Sequence, residues 1–548
     1  MPQLDRSTSR SRARSPSKDK APRFSPTALI IPIAIASRLA PMLAATTNFT
    51  VMQNVACRIW YILHSPGDIP TIGPIPDELC RIPDVDRYYT VLSSILATLD
   101  GIGTVVSCGA YGYLSSRLGR KPILVTALLL SVAAQLAIMT SQHVVDWLQI
   151  LLFAVGVLCS ISAQPPAMIY VINMYIVDVS GAEERTAALS KIAGWTALGS
   201  AVSFSLGGTL TAKTKDTTAV YLLAATILLL ACLYVIYLVP ESFPANKREE
   251  LRREREAQNP TAGERTLRQK INSYFSVVLE PLKQLKPSYN PITGKRNMRL
   301  VYCAIHIFIV AVADGYAVLS MILYFTTQHH YTPAQTGYVL TTINGCSTIM
   351  LTAFVPLIVR TLRPLYARRQ PIALPDDEEL PATSSATTFS AQEDVVSEVS
   401  DHLDVHVTIG SWVVESLAFI AVGLATTLAS QLAAVASIGL GAGRTPVFRS
   451  LVAASVDPLK QGEALASIEM IASTGLIFSP VIMGSVFTAT VATAPRTIFY
   501  VHALISVLGA SVLFLVKDSD RFQKQQHEDG QPIALDTQNE DAVDVLQG

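Results

Sequence analysis

Gly112-Tyr113-Leu114-Ser115-Ser116-Arg117-Leu118-Gly119-Arg120-Lys121 joins two long apolar runs, residues 88–111 and 122–141. Two glycines bracket a segment that carries Arg117, Arg120 and Lys121 and no acid. Glycine lets a chain turn sharply, so the decapeptide is expected to be a tight link between two helices. Its cations stand where they can bond the carbonyls that end a helix. Each flanking run matches the ~20 apolar residues that cross a bilayer's hydrocarbon. The segment therefore reads as a short basic hairpin between membrane helices.

The same pattern repeats outward from it. Half of the 548 residues are hydrophobic and 15 % are charged, against about a quarter charged in soluble chains. The deficit gathers in twelve apolar runs: 27–48, 88–111, 122–141, 147–172, 188–211, 219–239, 299–325, 335–359, 408–428, 430–455, 464–491 and 497–516. The expected fold is all-α and integral to a membrane, with twelve transmembrane helices in two pseudo-symmetric six-helix halves. Residues 1–26 hold no apolar core, so the first span is expected to act as an uncleaved anchor. With the N-terminus in the cytosol, 35 of the 42 lysines and arginines fall on the cytosolic side, as the positive-inside rule requires.

Domain boundaries follow. Residues 1–26 form a basic, Ser-rich tail, disordered and cytosolic by composition. An N-terminal six-helix bundle covers 27–239 and a C-terminal one 299–516, with a cytosolic central loop at 240–298 and a cytosolic tail at 517–548. Residues 360–407 are acidic and Ser/Thr-rich, and read as a disordered cytosolic insertion. The loop 49–87 is the long external segment; it holds Cys57 and Cys80, a disulfide candidate, and overlaps the sequon Asn48-Phe49-Thr50. The other five cysteines lie singly in apolar runs as small packing residues. Zero net charge implies no nucleic-acid partner. A monomer in contact with lipid is expected.

The two halves repeat. Gly199-x3-Ser203-Phe204-x2-Gly207-Gly208 in the fifth span recurs as Gly475-x3-Ser479-Pro480-x2-Met483-Gly484 in the eleventh, at an offset of 276. Halves related this way, with solute bound between them, are the architecture of alternating-access carriers.

The decapeptide resembles the signature loop of the major facilitator superfamily, G-x3-D-R-x-G-R-K/R. It departs from it at Ser116, where the family has Asp. Asp178-x6-Arg185-Thr186 resembles the family's D-x6-R-T element. The resemblance covers residues 27–516 and implies that Gly112, Arg117, Gly119, Arg120, Lys121, Asp178 and Arg185 gate the seam between halves. Arg444-Thr-Pro446-Val-Phe-Arg449 with Gln461-Gly462 resembles the proton-coupled folate and haem-carrier branch. That branch's fifth-span glutamate falls on Ala193 here, so coupling through that position is excluded. The fifth-span pattern also resembles the tetracycline-antiporter signature G-x3-G-P-x2-G-G, with Ser203-Phe204 in place of its Gly-Pro; we read it as packing. Pro240-Glu241-Ser242 and the long central loop resemble fungal members.

Charge in hydrocarbon is costly, so ionisable residues within spans mark function. The candidates for binding solute or a proton are Arg38, Asp100, His306, Asp314 and Arg449, with Gln164 and Asn173 as hydrogen-bonding partners. In this fold spans 1, 4, 7 and 10 line the cavity. Arg38 is expected to approach Asp314 across it, with an Arg38–Asp100 pair as the structural alternative. Glu415 and Glu469 sit near span ends and are expected to be solvated. Three motifs are set aside. Gly439-x-Gly441-x-Gly443 lies in a span and is close packing, not a dinucleotide loop. His402 and His406 have metal-ligand spacing by chance, and His329-His330 is a solvated pair. No metal or cofactor is expected, and no phosphate loop points to a pump or an enzyme.

The reading is a secondary active or facilitative carrier of a small solute, with protons as a candidate co-substrate. Its location is the plasma membrane, or the vacuolar membrane. The alternative is a non-transporting sensor built on the same scaffold.

Overall fold

A computed structural model describes residues 26–64, 80, 83–144, 146–181, 184–214, 217–258, 279–289, 296–329, 331, 333–367, 388–490 and 493–516. The expected tails 1–26 and 517–548 lie outside the described residues apart from Pro26, as does 368–387 of the expected insertion.

After one helical turn at Pro26–Leu29 come α1 (Ile31–Leu43), α2 (Ala45–His64), α3 (Pro83–Leu118), α4 (Arg120–Ser141), α5 (Asp146–Ser162), α6 (Pro165–Val179), α7 (Arg185–Thr214), α8 (Thr217–Leu238) and α9 (Ala245–Gln258). A 3₁₀ turn, Glu280–Leu285, and a ribbon pairing Ser288–Tyr289 with Arg296–Asn297 lead into α10 (Arg299–Gln328). Then follow α11 (Pro333–Ile349), a π-turn at Met350–Phe354, α12 (Val355–Ala367), α13 (Thr388–Leu424), α14 (Leu428–Leu440), α15 (Arg444–Ala454), α16 (Gln461–Thr490) and α17 (Thr497–Ser511).

Among the described residues each apolar run is mostly helical, and eight helical stretches are long and apolar enough to cross a membrane. The exposed surface is itself apolar: Trp147, Leu158, Leu230, Tyr237, Leu417 and Leu504 all point outward. Patches this greasy on a soluble protein would aggregate; in lipid they are the solvated face. The chain is a multi-pass membrane protein.

Small residues set the helix contacts. A Cβ on Gly199 of α7 would lie 2.5 Å from the Ile35 carbonyl oxygen of α1; one on Gly475 of α16 would lie 2.8 Å from the Phe308 carbonyl oxygen of α10. The two glycines of the 276-residue repeat thus do the same work in the two places. The Gly439, Gly441 and Gly443 run is close packing too, its three positions set against Ile343, Ser411 and Val355.

Two expectations need correction. Residues 49–64, read as external loop, belong to helix α2, because the polar Asn48–Asn54 stretch continues the helix of the first span. Residues 360–367 and 388–407, read as disordered, are helical. Composition missed that Leu403 is buried against Val355 and Val359, and that Asp404 has a hydroxyl partner in Thr186. Cys57 and Cys80 are joined in a disulfide that ties α2 to the start of α3. Asn48 sits in α2, its amide oxygen accepting from Tyr221 at 2.6 Å.

Candidate functional site

The decapeptide closes one end of the bundle, here termed the basic end. Gly119 has φ +106°, and a Cβ there would lie 2.5 Å from Glu241 Oε2. Only glycine meets both demands. The Glu241 carboxylate accepts from the backbone N–H groups of Arg120 (2.8 Å), Lys121 (3.1 Å) and Phe243 (3.0 Å). It serves the first turn of α4 as an N-cap that Gly119 cannot provide. Arg120 is buried, donating to Asp178 Oδ2 at 2.9 Å and Ser115 Oγ at 2.7 Å, with its guanidinium over the Phe243 ring. Ser116, where the family pattern has Asp, donates to the Tyr113 carbonyl at 2.7 Å instead. Arg117 is exposed and lies over the Tyr113 ring. Lys121 Nζ donates to the Ile236 carbonyl.

This knot meets the N-terminus of α16. A Cβ on Gly462 would lie 2.5 Å from Arg120 Nη2, and one on Gly112 would lie 2.7 Å from Ala466 Cβ. Tyr170 of α6 donates to the Gly462 carbonyl at 2.7 Å. A second seam lies beside it. Thr186 Oγ1 is 2.8 Å from Asp404 Oδ2 and 2.7 Å from Ser450 Oγ; with one proton, it donates to the carboxylate and accepts from the serine. Arg185 is buried next to it in sequence.

Further along the axis, α5 and α6 are one span broken at Ala163-Gln164-Pro165-Pro166. The prolines have no N–H to return, so carbonyls of the preceding turn lose their helical partners. Ser107 Oγ lies 3.2 Å from the Ile161 and Ser162 oxygens, and Tyr111 donates to Ser162 at 2.6 Å. Gln164 Nε2 donates to Asp100 Oδ1 at 2.7 Å. Asp100 is thus held by Gln164 and not by Arg38.

Two charge clusters lie within the bundle. In the first, Arg449 pairs with Glu469 at 2.6 Å. Arg38 lies in electrostatic range of Arg449 and has no ion-pair partner among the described residues. In the second, Arg444 reaches Glu415 Oε1 at 2.8 Å and Asp314 Oδ2 at 3.3 Å, with its guanidinium over Trp412. His502 Nε2 is 3.3 Å from Asp314 Oδ1. Asp314 therefore meets Arg444 and His502 where Arg38 was expected. Glu415 is 1 % exposed and Glu469 is paired, so neither is solvated.

His306 is fully buried beside Trp412 and Phe448, its Nδ1 donating to the Gly509 carbonyl at 2.8 Å. That oxygen requires Nδ1 to carry the proton. Asn173 is buried in α6, its Nδ2 without a hydrogen-bond partner among the described residues. Sequence reasoning missed Glu241, Arg444 and His502 as site residues. Glu241 had a signal, a lone acid directly after a span; the other two are recognisable only by the acids they meet.

The sequence profile of the Major Facilitator Superfamily matches residues 85–374 and 395–539. The major facilitator-type transporter psiT1 of Psilocybe cyanescens is 42 % identical over 416 residues, covering 75 % of this chain and 88 % of its own length. The MFS-type transporter avaJ of Aspergillus versicolor is 24 % identical, covering 79 % of this chain and 76 % of its own. Among solved structures, the human organic anion transporter MFSD10 superposes with a TM-score of 0.61 at 14 % identity, covering 90 % of this chain and all of that one. The proton:xylose symporter XylE gives 0.58 at 13 %, covering 90 % and 96 %.

Proposed function

Because the chain belongs to the major facilitator superfamily and is a membrane transporter of small solutes by that membership, we propose that it works by alternating access between two six-helix halves. The observation that carries this reading is the seam at the basic end. There Arg120, Tyr170 and Thr186 from before the central loop meet Gly462, Asp404 and Ser450 from after it. The halves are 27–239 and 299–516, twelve spans in all. The repeated glycine packing of α7 on α1 and α16 on α10 supports their pseudo-symmetry. With the basic end in the cytosol, the conformation is closed to the cytosol, and the charged clusters lie beyond that closure. The membrane is the plasma membrane, and the working unit is a monomer.

Proton coupling is assigned to the second cluster. One guanidinium, Arg444, faces two carboxylates, Asp314 and Glu415, with His502 beside them. A buried site with one cation and two acids balances when it takes up one proton. Opening and closing the Asp314 contacts then links that proton to the state of the halves. Names of structural neighbours do not choose the solute, since the fold serves organic anions and sugars alike.

The test is flux in reconstituted vesicles, run as a solute screen with and without an imposed pH gradient. Solute accumulation driven by the gradient supports carrier and coupling together. Flux indifferent to the gradient removes the coupling. A folded protein that moves no solute of any class supports the sensor.

A further inference from the structure

Arg444 faces two acids, and the two are not held alike. Its Nη2 lies 2.8 Å from Glu415 Oε1 and 3.3 Å from Asp314 Oδ2. Asp314 has a partner on its other oxygen as well, His502 Nε2 at 3.3 Å. Glu415 does not: its Oε2 is buried and has no hydrogen-bond partner among the described residues. Exposure differs in the same sense, 2 % for the Glu415 side chain against 29 % for Asp314. A glycine makes the enclosure tight. A Cβ on Gly441 would lie 2.7 Å from Glu415 Cβ and 3.0 Å from the Ser411 carbonyl oxygen, so α13 lies close against the joint between α14 and α15.

One guanidinium with two carboxylates leaves an enclosed excess of one negative charge, which one proton removes. Four side chains could carry that proton. On Asp314 it would leave the negative charge on Glu415, the more enclosed acid with the unpaired oxygen. On His306 or His502 it would create a charged N–H without an acceptor, because His306 Nε2 and His502 Nδ1 are both buried and unpartnered among the described residues. On Glu415 Oε2 it breaks no contact, since Oε1 of the neutral acid still accepts from Arg444. An unpaired neutral O–H costs far less to bury than an unpaired charged oxygen. The other helices packed on α13 offer no competitor. α14 has no ionisable residue. Val355 and Val359 of α12 pack on Leu403, so the neighbouring Arg360 and Arg363 lie about three helical turns from Glu415.

We propose that Glu415 stores the coupling proton, as a neutral acid enclosed in the second half while the basic end is closed, and that Asp314 is the ionised neighbour through which it is loaded. The inference rests on the coupling reading above and deepens it. Loading moves one proton: the O–H of a protonated Asp314 breaks, an O–H forms on Glu415, and Asp314 is left as the carboxylate. Unloading is the reverse. Arg444, bonded to both acids, compensates whichever one is charged.

The test is infrared spectroscopy of the purified full-length protein in lipid nanodiscs near neutral pH. A protonated carboxylic acid shows a carbonyl stretch that carboxylates lack. The parent is expected to show such a band, shifted by heavy-carbon labelling of glutamate carboxyls, lost in Glu415→Gln and kept in Glu469→Gln. Asp314→Asn leaves one cation with one acid, so Glu415 should ionise and the same band should vanish. Glu415→Gln should melt within about 2 °C of the parent, because its amide is neutral and offers Arg444 the same carbonyl. The isotope label keeps the test decisive if that variant folds poorly. The absence of a glutamate-labelled band overturns the proposal, as does its survival at parent intensity in Glu415→Gln or Asp314→Asn. Because protonation is read without flux, the band in a protein whose flux ignores a pH gradient leaves Glu415 as the proton's site while the coupling reading fails. Gradient-driven flux without the band does the reverse.

Discussion

Replacing Gly462 with alanine tests the seam at its tightest point. The added Cβ would stand 2.5 Å from Arg120 Nη2 and 3.1 Å from both its Cζ and Nη1. The guanidinium cannot simply swing aside, because Asp178 holds Nε and Ser115 holds Nη1. Ordinary van der Waals contact demands about an ångström of retreat, and forcing a methyl into packed space costs about 1–3 kcal/mol. Those Arg120 bonds all lie on one side of the seam, whereas Gly462 lies on the other. Separating the halves therefore removes the clash without breaking them. The penalty falls on the closed state alone, and at 1.4 kcal/mol per decade it raises the open population by about 5- to 150-fold. Cys108, a free and fully buried thiol, reports it. N-ethylmaleimide added to the nanodisc-embedded protein, with peptide mass spectrometry reading each cysteine separately, should label Cys108 faster by that factor. Cys232 and Cys303, also buried and free, should be unchanged. A Cys108 rate within twofold of the parent would show that the Gly462–Arg120 contact does not hold the end shut.

Two further outcomes follow from the charge and disulfide geometry. Asp314→Asn should abolish gradient-driven flux at a stability cost of about 1.5–3 kcal/mol, that of charged hydrogen bonds, because Arg444 keeps Glu415 at 2.8 Å. Arg444→Ala strands both acids and should cost about 3–5 kcal/mol; equal melting temperatures for the two variants contradict the cluster as drawn. Cys57→Ser opens a loop whose ends are 23 residues apart, worth about 3 kcal/mol. Hydrogen exchange should rise in the outer turns of α2 and α3 and not at Gly112–Lys121, and a change at the latter instead would tie the disulfide to the gate.

Much of the seam at the basic end was legible because its grammar is local. Gly112, Gly119 and Arg120 sit in one decapeptide, and a positive-φ glycine ahead of a helix leaves its mark in the sequence. Depth in the membrane was legible too, since distance along an apolar run converts to ångströms along the axis. Rotation about that axis was not. Arg38 and Asp314 have compatible depths, yet Arg38 has no ion-pair partner among the described residues, and Asp314 turns to Arg444 and His502. Glu415 was misread for a related reason. Its distance from the start of the apolar run suggested a span end, but α13 begins at Thr388, so Glu415 lies deep in the helix. The break in the fourth span was written in Pro165-Pro166. What sequence could not supply was the pair of hydroxyls, on Ser107 and Tyr111, that makes the break tolerable.

The placement of charge suggests a division of labour. Among the described residues, the segment before the central loop contributes Arg38 to the bundle, with Asp100 exposed beside Gln164. The segment after it contributes Asp314, Glu415, Arg444, Arg449, Glu469 and His502. The seam is arranged the other way: Arg120, Asp178 and Glu241 all come from the first segment, and the second offers the bare backbone of Gly462 and, beside Thr186, Asp404 and Ser450. A carrier that moves as two bodies needs each body rigid, which the Gly199–Ile35 and Gly475–Phe308 contacts provide. It also needs something that feels both solute and seam. Tyr170 fits that demand by position. Its hydroxyl donates to the Gly462 carbonyl across the seam, from a helix that begins at the Gln164 beside Asp100. Glu469, paired with Arg449, and Gly462 are neighbours on α16, about two helical turns apart, so a coupling between that pair and the seam requires no longer path than that.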